Sequence, residues 1–429
     1  MATKTTAFRK ASDKESKWLY NKRKNDWAAY LESNLPDRVV HLWKYTDPAQ
    51  FLLDNQHKIS TNHSVQSNLS GLDKDLLKAE FAGYGYNRPD LMTIAMLNPE
   101  LNETGIIFKD LNTAVFENEN LVGNHLGHLI GSDFGKFEAM NSALWNSGLF
   151  LYIPDNTIIE KPIQLHRHPV GAATFLRLLV IVGKNAEVTL IDDYHGQITE
   201  GEGLLNSAVE IFAGAASRVR YANLQRLPHN CRAYITYRSR VDHGANIFSA
   251  LGALGGSVSK VNTGTVLNGR GSESRIAGIV FGGKDQHFDY HTLHEHRADE
   301  SFSNIDFRVI LKDKAVSAYT GLIKIDEQAR NCEAYQINRN LLLNPGTKAE
   351  SIPELEILND QVRCTHGATM GPIDPEMLFY LRSRGISNQE AVKTVVSGFV
   401  EPMINELPES LRETLRNMVV GKLTGEDND

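Results

Sequence analysis

One short stretch of the chain combines a thiol and an imidazole at a spacing that could bind a soft metal or sulfur. Residues 360–369 read DQVRCTHGAT and place Cys364 two positions before His366. On an extended strand, alternate side chains point to the same face, so the two groups would lie side by side. Such a sulfur and nitrogen donor pair suits iron, zinc or copper, and the thiol could also carry persulfide sulfur. The alternative is structural: Cys364 as a small buried residue and His366 as a hydrogen-bonded spacer.

A group of four histidines within ten residues forms a second candidate metal site. The four are His287, His291, His294 and His296. On a strand, the last two would share one face, and the first two would share the other face with Asp289. No HExxH motif or second ligand cluster accompanies them, which favours surface or ladder histidines over a zinc or iron site. We interpret His166 and His168, also two positions apart, in the same way.

The remaining motifs give no indication of catalysis. Cys231 and Cys332 have no neighbouring group that would clearly lower their thiol pKa, and we interpret both as structural. The chain contains no GxxxxGK[ST] phosphate loop and no GxSxG motif. We therefore expect that it binds and hydrolyses no nucleotide itself.

Composition indicates an ordinary soluble chain. It has 429 residues, of which 41% are hydrophobic, and this is enough for two or three hydrophobic cores. The net charge of −7 argues against a nucleic-acid-binding surface as its main function. No run approaches the roughly 20 apolar residues of a membrane helix, and no apolar segment of a secretory signal follows the first lysines. Three cysteines without a CxxC motif do not form a disulfide framework. These features predict a cytoplasmic protein.

Short alternating segments between regular turn signals predict a β-solenoid from about residue 165 to 370. Residues 234–241 and 275–281 alternate with period two, and no helical pattern long enough for β-α-β units separates such segments. Turn signals begin at Gly183, Gly214, Gly244 and Gly269, and again at Lys312 and Pro345, so several intervals fall between about 25 and 32 positions and one is near 44. A β-sandwich is the alternative, but its turns would recur every 8 to 12 residues or so.

The end of the chain predicts amphipathic helices. Asp374-Pro375-Glu376 is a strong helix start, and Ser387 with Glu390 forms a capping box for the next helix. These helices could cap the solenoid or dock a partner, and the sequence does not separate the two uses. We divide the chain into an N-terminal mixed and helical region (1–164), a β-helix core (165–370) and a C-terminal helical domain (371–429).

The last third of the chain is similar to a known family. Its ordered motifs are AYQINRNLLL at 334–343, PELEI at 353–357, CTHGATMG at 364–371 and LFYLRSRGI at 378–386. They resemble the SufB/SufD family of iron–sulfur cluster assembly scaffolds. WKYT at 43–46, and residues 136–154 with Pro162-Ile163, agree with it more loosely. The resemblance implies a right-handed parallel β-helix flanked by N-terminal and C-terminal helical regions.

Within that family, the chain looks more like SufD than SufB. Gly367 follows the histidine, whereas SufB-like sequences tend to have Glu there and carry a separate cluster-assembly cysteine upstream. Three short segments depart from the family pattern: Cys332-Glu333, Asn344-Pro345 and Ala298-Asp299-Glu300. A SufB-like or homodimeric paralogue that acts as the cluster scaffold itself therefore stays open.

The resemblance implies a non-catalytic subunit that pairs with SufB and with the ABC-type ATPase SufC. Cys364 and His366 would lie at the SufB–SufD interface and hold iron or a transient cluster, and the C-terminal helices would receive the ATPase. The candidate ATPase-binding residues are Met377, Leu378, Tyr380 and Arg382. A β-helix carbohydrate-active enzyme is the alternative class. It would need clustered carboxylates or a calcium site, and a signal peptide, and neither is plain in the sequence.

Overall fold

The structure is a computed structural model that describes residues 16–38, 41–53, 80–89, 93–171, 173–198 and 201–425. Within these ranges the chain is mainly β-structure. Among the described helices, none combines the length and apolar character needed to cross a membrane. The α-helices are α1 Lys17–Glu32, α2 Leu111–Glu117, α3 Glu119–Gly123, α4 Lys136–Leu144, α5 Pro375–Ser383, α6 Asn388–Ile404 and α7 Glu409–Thr424.

The strands are numbered in chain order. The first nine are β1 Gly83–Asn87, β2 Ile94–Leu97, β3 Ile107–Asp110, β4 Ser147–Ile153, β5 Ile163–Arg167, β6 Ala173–Val182, β7 Glu187–His195, β8 Gly203–Ala213 and β9 Arg218–Arg226. The other ten are β10 Cys231–Val241, β11 Asn246–Ala253, β12 Val258–Leu267, β13 Glu273–Gly282, β14 His287–His296, β15 Phe302–Leu311, β16 Val316–Ile325, β17 Cys332–Leu342, β18 Lys348–Ile357 and β19 Val362–Pro372.

Successive strands alternate between two sheets. Sheet A has the order β18-β16-β14-β12-β10-β8-β6-β4-β3, and sheet B has the order β19-β17-β15-β13-β11-β9-β7-β5-β1-β2. From β4 onward every pairing is parallel, so one strand of each sheet makes one coil, and about 8 coils stack. The predicted β-solenoid with N-terminal and C-terminal helical regions is confirmed.

The coil length explains the spacing of the turn signals. Leu204 of β8 pairs with Ala173 of β6 and with Arg232 of β10, which lie 31 and 28 positions away. The longest coil separates Val316 of β16 from Lys348 of β18, 32 positions later. The interval near 44 arises because the turn at Lys312 lies at the opposite corner of the coil from the turn at Gly269.

The same left-handed backbone conformation recurs at one corner of successive coils. Each of seven successive coils has one residue with a positive φ between its strand of sheet A and its strand of sheet B: Asn156, Asn185, Ala216, Gly244, Gly271, Glu300 and Asn331. Each of these residues donates its backbone N–H to a carbonyl of the following coil, as from Asn185 to Ala215 and from Asn331 to Gln361. The left-handed backbone aims the N–H along the stack, so the corner satisfies its polar groups and fixes the register between coils.

The N-terminal region covers the outer face of sheet A. Helices α1 to α4 and residues 41–53 share one core with the sheet A strands β4, β6, β8, β10 and β12. At its centre, Trp43 stacks on Tyr234 with the ring centroids 5.9 Å apart, and Phe51 and Phe137 pack around both. At the start of the solenoid, β2 and β3 pair antiparallel to their neighbours β1 and β4.

The C-terminal helices α6 and α7 pack on the outer face of sheet B. Their buried Val396, Val400 and Leu415 contact a core that includes Ala250 and Ile279. Both predicted helix caps are confirmed: Asp374 accepts from the N–H of Glu376 at 2.9 Å, and Ser387 accepts from the N–H of Glu390 at 3.2 Å. The helices therefore cover the side of the solenoid, and its C-terminal end is formed by the last strands, β18 and β19.

Candidate functional site

The C-terminal end of the solenoid ends in two strand edges. Strands β18 and β19 are the last members of sheets A and B, and each pairs with a single strand in the described part of the chain. Four large apolar side chains are exposed on this coil: Leu355, Ile357, Leu358 and Met370. We call these four residues the open-end rim. Unpaired strand edges beside exposed apolar side chains are a surface on which another chain can add its own strands.

Cys364 and His366 lie on β19, in the last coil. They pair with Ala334 and Gln336 of β17, and both of these residues are buried inside the previous coil. The register therefore puts the thiol and the imidazole on the interior row of the solenoid, where that row meets the open end. The prediction that the two side chains share one face of a strand is confirmed.

Their surroundings differ from each other. Cys364 is half-buried against Cys332, Ala334 and Ile323, whereas His366 is exposed. Burial, and to a lesser degree the nearby Cys332, raises the pKa of the Cys364 thiol. In the isolated chain Cys364 is thus a protonated thiol, and it becomes a ligand only if a metal ion or an added base removes its proton.

Helix α5 follows directly and is largely exposed. Met377 and Tyr380 are 48% and 57% exposed, and Arg382 is exposed as well. Leu378 instead turns towards the core between the C-terminal helices and sheet B. Phe379, which sequence reasoning missed, is the most exposed large apolar residue of the helix at 73%. Its exposure depends on which face of α5 meets the solenoid, and the apolar pattern of nine residues does not specify that face.

Comparisons with known proteins identify the family of the chain. A family model described as "SUF system FeS cluster assembly, SufBD core domain" matches residues 166–399, and one described as "SufBD protein N-terminal region" matches residues 5–165. The chain belongs to the SufBD family. Iron–sulfur cluster assembly SufBD family proteins of Staphylococcus saprophyticus and Staphylococcus epidermidis are each 30% identical over 331 residues, which are 77% of this chain and 71% of theirs. This family membership argues against the alternative of a carbohydrate-active enzyme.

In this SufBD-family chain, the four histidines of β14 divide between two faces as predicted. His294 and His296 point into the solenoid, where they contact Ser274 of β13 and Ser303 of β15 at 2.9 and 2.8 Å. Burial lowers the pKa of His294 to about 3 and that of His296 to about 4. These two imidazoles are neutral members of a buried hydrogen-bonded interior.

The other two histidines of β14 lie under the N-terminal region. His287 contacts Thr46 at 2.9 Å, and His291 contacts Asp289 at 2.8 Å. Asp289 also forms a buried ion pair with Lys260 at 2.9 Å, and this cation is the main reason that the carboxyl pKa lies well below its usual range. Among the described residues, the four histidines of β14 form no cluster with metal-ligand geometry.

The structure does bring together a different group of histidines. His166 and His168 meet His195, which lies on the next coil, and the nearest ring nitrogens of His166 and His195 are 2.7 Å apart. Sequence reasoning set the first two aside and did not consider His195. The signal was available once the solenoid had been predicted, because the 29 positions between His166 and His195 are close to the coil length, which is 27 positions between His166 and its strand partner Asp193.

The remaining cysteines are structural, as predicted. Cys231 is buried, and desolvation raises its pKa to about 12. Cys332 is also buried, with its sulfur 3.3 Å from the hydroxyl of Ser301. All three cysteines of the chain are free thiols.

Proposed function

We propose that this chain is a SufD-like scaffold subunit of an iron–sulfur cluster assembly complex. It would pair with a SufB-like subunit and an ABC-type ATPase of the SufC kind, and would support iron acquisition and cluster assembly without a catalytic centre of its own. The observation that carries the proposal is the open end, where a thiol and an imidazole on the interior row adjoin two unpaired strand edges. A second solenoid that docks there would cover both groups.

The chemistry proposed for the pair follows from its position. The half-buried Cys364 would be shielded by the docked subunit, and His366, exposed in the isolated chain, would face it. Iron or a nascent cluster is the cargo in this proposal. Binding would remove the thiol proton and supply the soft ligand set of sulfur and nitrogen. Movement driven by the ATPase would then open the seam and make Cys364 available.

The assignment to SufD rests on Gly367 after the histidine, and the alternative is a SufB-like or homodimeric scaffold. The open-end rim favours a partner with a complementary coil, and a second copy of this chain fits that requirement too. The domain division at residues 164 and 370 and a cytoplasmic location are part of the same proposal. Three free thiols support a reducing compartment.

The test is anaerobic co-expression with the SufB-like and SufC-like proteins of the same organism. Iron, sulfide and subunit ratio are measured in the purified complex for wild type, His366→Ala and Cys364→Ser. Thr365→Ala is the matched control because its side chain points to the opposite face of the same strand. We expect the first two variants to keep their subunits and lose most of the iron, with the control unchanged.

Two results would count against the proposal. If wild type purifies without the other subunits, the partner assignment fails. If His366→Ala and Cys364→Ser keep wild-type iron within an intact complex, the pair has only a packing role. A complex with two copies of this chain and no SufB-like subunit would favour the homodimeric scaffold.

We further propose that the exposed face of α5 binds the ATPase, through Met377, Tyr380 and Arg382 of the predicted set together with Phe379. Large aromatic side chains exposed on one helix typically provide the anchors of an interface. Phe379→Ala and Tyr380→Ala should each weaken binding of the ATPase at least about tenfold, or ~1.4 kcal/mol. Gln389→Ala, at an exposed position of α6, is the control. Equal binding by all three variants would exclude this face.

A further inference from the structure

The histidine cluster lies at the other end of the solenoid. His166 is on β5, His168 follows that strand, and His195 ends β7. Six strand steps separate β7 from β19 in sheet B, or about 29 Å at the usual strand spacing of ~4.8 Å. The cluster is therefore separate from Cys364 and His366, and an inference drawn from it stands independently of the proposed function.

We propose that His166, His168 and His195 bind one divalent first-row transition-metal ion. One ring nitrogen from each side chain belongs to a set whose members all lie within 4.8 Å of one another. In a tetrahedral site with metal–nitrogen distances of about 2.1 Å, ligand nitrogens are about 3.4 Å apart. The 2.7 Å contact between His166 and His195 is somewhat shorter than this and the widest separation somewhat longer, so small side-chain rotations bring the three to a common centre.

An acidic side chain completes the surroundings. One carboxylate oxygen of Asp193 lies 3.7 Å from Nδ1 of His166 and 3.6 Å from Nε2 of His195. Arg226 fixes this carboxylate with two hydrogen bonds of 2.9 and 2.6 Å. These are the two ring nitrogens that contact each other at 2.7 Å, so the carboxylate lies beside the proposed ion and would balance part of its charge.

Aromatic rings hold the imidazoles from the neighbouring strand. Tyr84 and Tyr86 of β1 lie against His166 and His168, with ring centroids 5.1 and 4.7 Å apart. The third ring, of His195, is 4.1 Å from that of His168. The imidazoles are thus supported by side chains on three adjacent strands, as a preformed site requires.

The ligand set selects the class of ion. Three imidazoles suit Zn²⁺, Fe²⁺ and Co²⁺ and are a poor match for the oxygen-preferring Ca²⁺ and Mg²⁺. Three protein ligands leave one coordination position of a tetrahedral ion for water or an exchangeable group. Because β5 and β7 belong to successive coils, the bound ion would also link the first coils of the stack.

The test uses the full-length chain carrying Cys364→Ser and His366→Ala, so that the other candidate site contributes nothing. After treatment with a chelator it is titrated with Co²⁺, whose visible absorption distinguishes tetrahedral from octahedral coordination. We expect one Co²⁺ per chain with a tetrahedral spectrum, displaced by Zn²⁺. Loss of the carboxylate charge in Asp193→Asn should weaken binding about tenfold or more, and loss of a ligand in His195→Ala should weaken it further.

His229→Ala is the matched control, because His229 pairs with Asp285 at 3.0 Å and takes no part in the cluster. Circular dichroism confirms that each variant folds, and His195→Gln replaces His195→Ala if the latter does not. The proposal is overturned if the parent chain gives no tetrahedral spectrum. It is equally overturned if the folded His195 variant binds Co²⁺ as the parent does.

Discussion

The two ends of the solenoid are built in opposite ways. At the N-terminal end, antiparallel strands of the same chain extend both sheets, and helices of the N-terminal region pack on the outer face of sheet A. Side chains such as Phe150 and Leu151 are almost fully buried there. At the C-terminal end, β18 and β19 retain free edges in the described part of the chain, and the open-end rim is exposed. The helices that could have covered this end lie on the side of sheet B instead. The proposed docking of a second solenoid at the C-terminal end would account for this difference.

The largest expected effect is a contrast in stability between the ends. Phe150→Ala removes a fully buried ring from the covered end and should lower the free energy of unfolding by about 3–5 kcal/mol. Met370→Ala, at a side chain 49% exposed on the rim, should change it by less than about 0.5 kcal/mol. Urea denaturation of both variants measures the difference. Comparable losses would mean that the rim is part of the folded core of the isolated chain.

A second contrast concerns histidines on interior-facing positions of the two sheets: His294 and His296 on β14 of sheet A are buried, and His366 on β19 of sheet B is exposed. Burial holds the pKa of the first two at about 3 and about 4, below the ordinary 6.5 of the unfolded chain. Between pH 6.5 and pH 4 the unfolded state thus binds protons that the folded state does not. Stability should fall as the pH falls through this window, by up to about 1.4 kcal/mol per pH unit for each histidine.

Denaturant unfolding at several pH values measures this slope. His296→Gln, which can keep a hydrogen bond to a neighbouring serine, should make the slope shallower. Ser274→Ala removes the hydrogen-bond partner of His294 and keeps the titrating group, so it should lower stability at neutral pH and leave the loss on acidification in place. An unchanged slope in His296→Gln would contradict the assignment of this pH dependence to the buried histidines of β14.

A third prediction tests whether the open end binds another solenoid. Ile357→Lys and Leu358→Lys put a charge on the rim and should weaken association with a SufB-like chain or a second copy at least about tenfold, or ~1.4 kcal/mol. Leu31→Lys, at a residue of α1 that is 61% exposed, is the control far from the rim. Sedimentation velocity measures the association. If all three variants associate as wild type does, the partner binds elsewhere.

The smallest effect is expected at a glycine of the last coil. A Cβ at Gly367 would meet its nearest neighbour, Ile337, at 3.9 Å, so Gly367→Ala should change the stability of the isolated chain by less than about 0.5 kcal/mol. In a covered coil, a Cβ at Gly278 would approach the ring of Phe307 to 2.2 Å, so Gly278→Ala should cost about 1–3 kcal/mol. Thermal unfolding compares the two variants. A large loss in Gly367→Ala would show that the last coil is packed as tightly as the others.

Much of the fold could be predicted from local patterns. Turn residues at coil-length intervals identified the solenoid, and Asp374 and Ser387 identified the starts of α5 and α6, because turns and caps depend on a few neighbouring residues. Alternation along β19 correctly put Cys364 and His366 on one face. These features need no knowledge of which segments meet.

What could not be predicted depends on contacts between coils or between layers. His195 joins His166 only through the stacking register, and the buried ion pair of Arg167 with Asp192 depends on the same register. The inward turn of Leu378 and the exposure of Phe379 depend on how the C-terminal helices dock on sheet B. The open C-terminal end could not be predicted either, because it depends on whether another segment of the chain pairs with β18 or β19.

The left-handed corner residues make the length of the solenoid modular. Each coil makes the same backbone connection to the next, so a whole coil could be gained or lost without changing the pattern at the corner, whereas a partial coil would misalign every later connection. A change of one coil would move the open end by one strand spacing relative to the N-terminal helices. The number of coils thus sets the distance between the open end and the N-terminal helices.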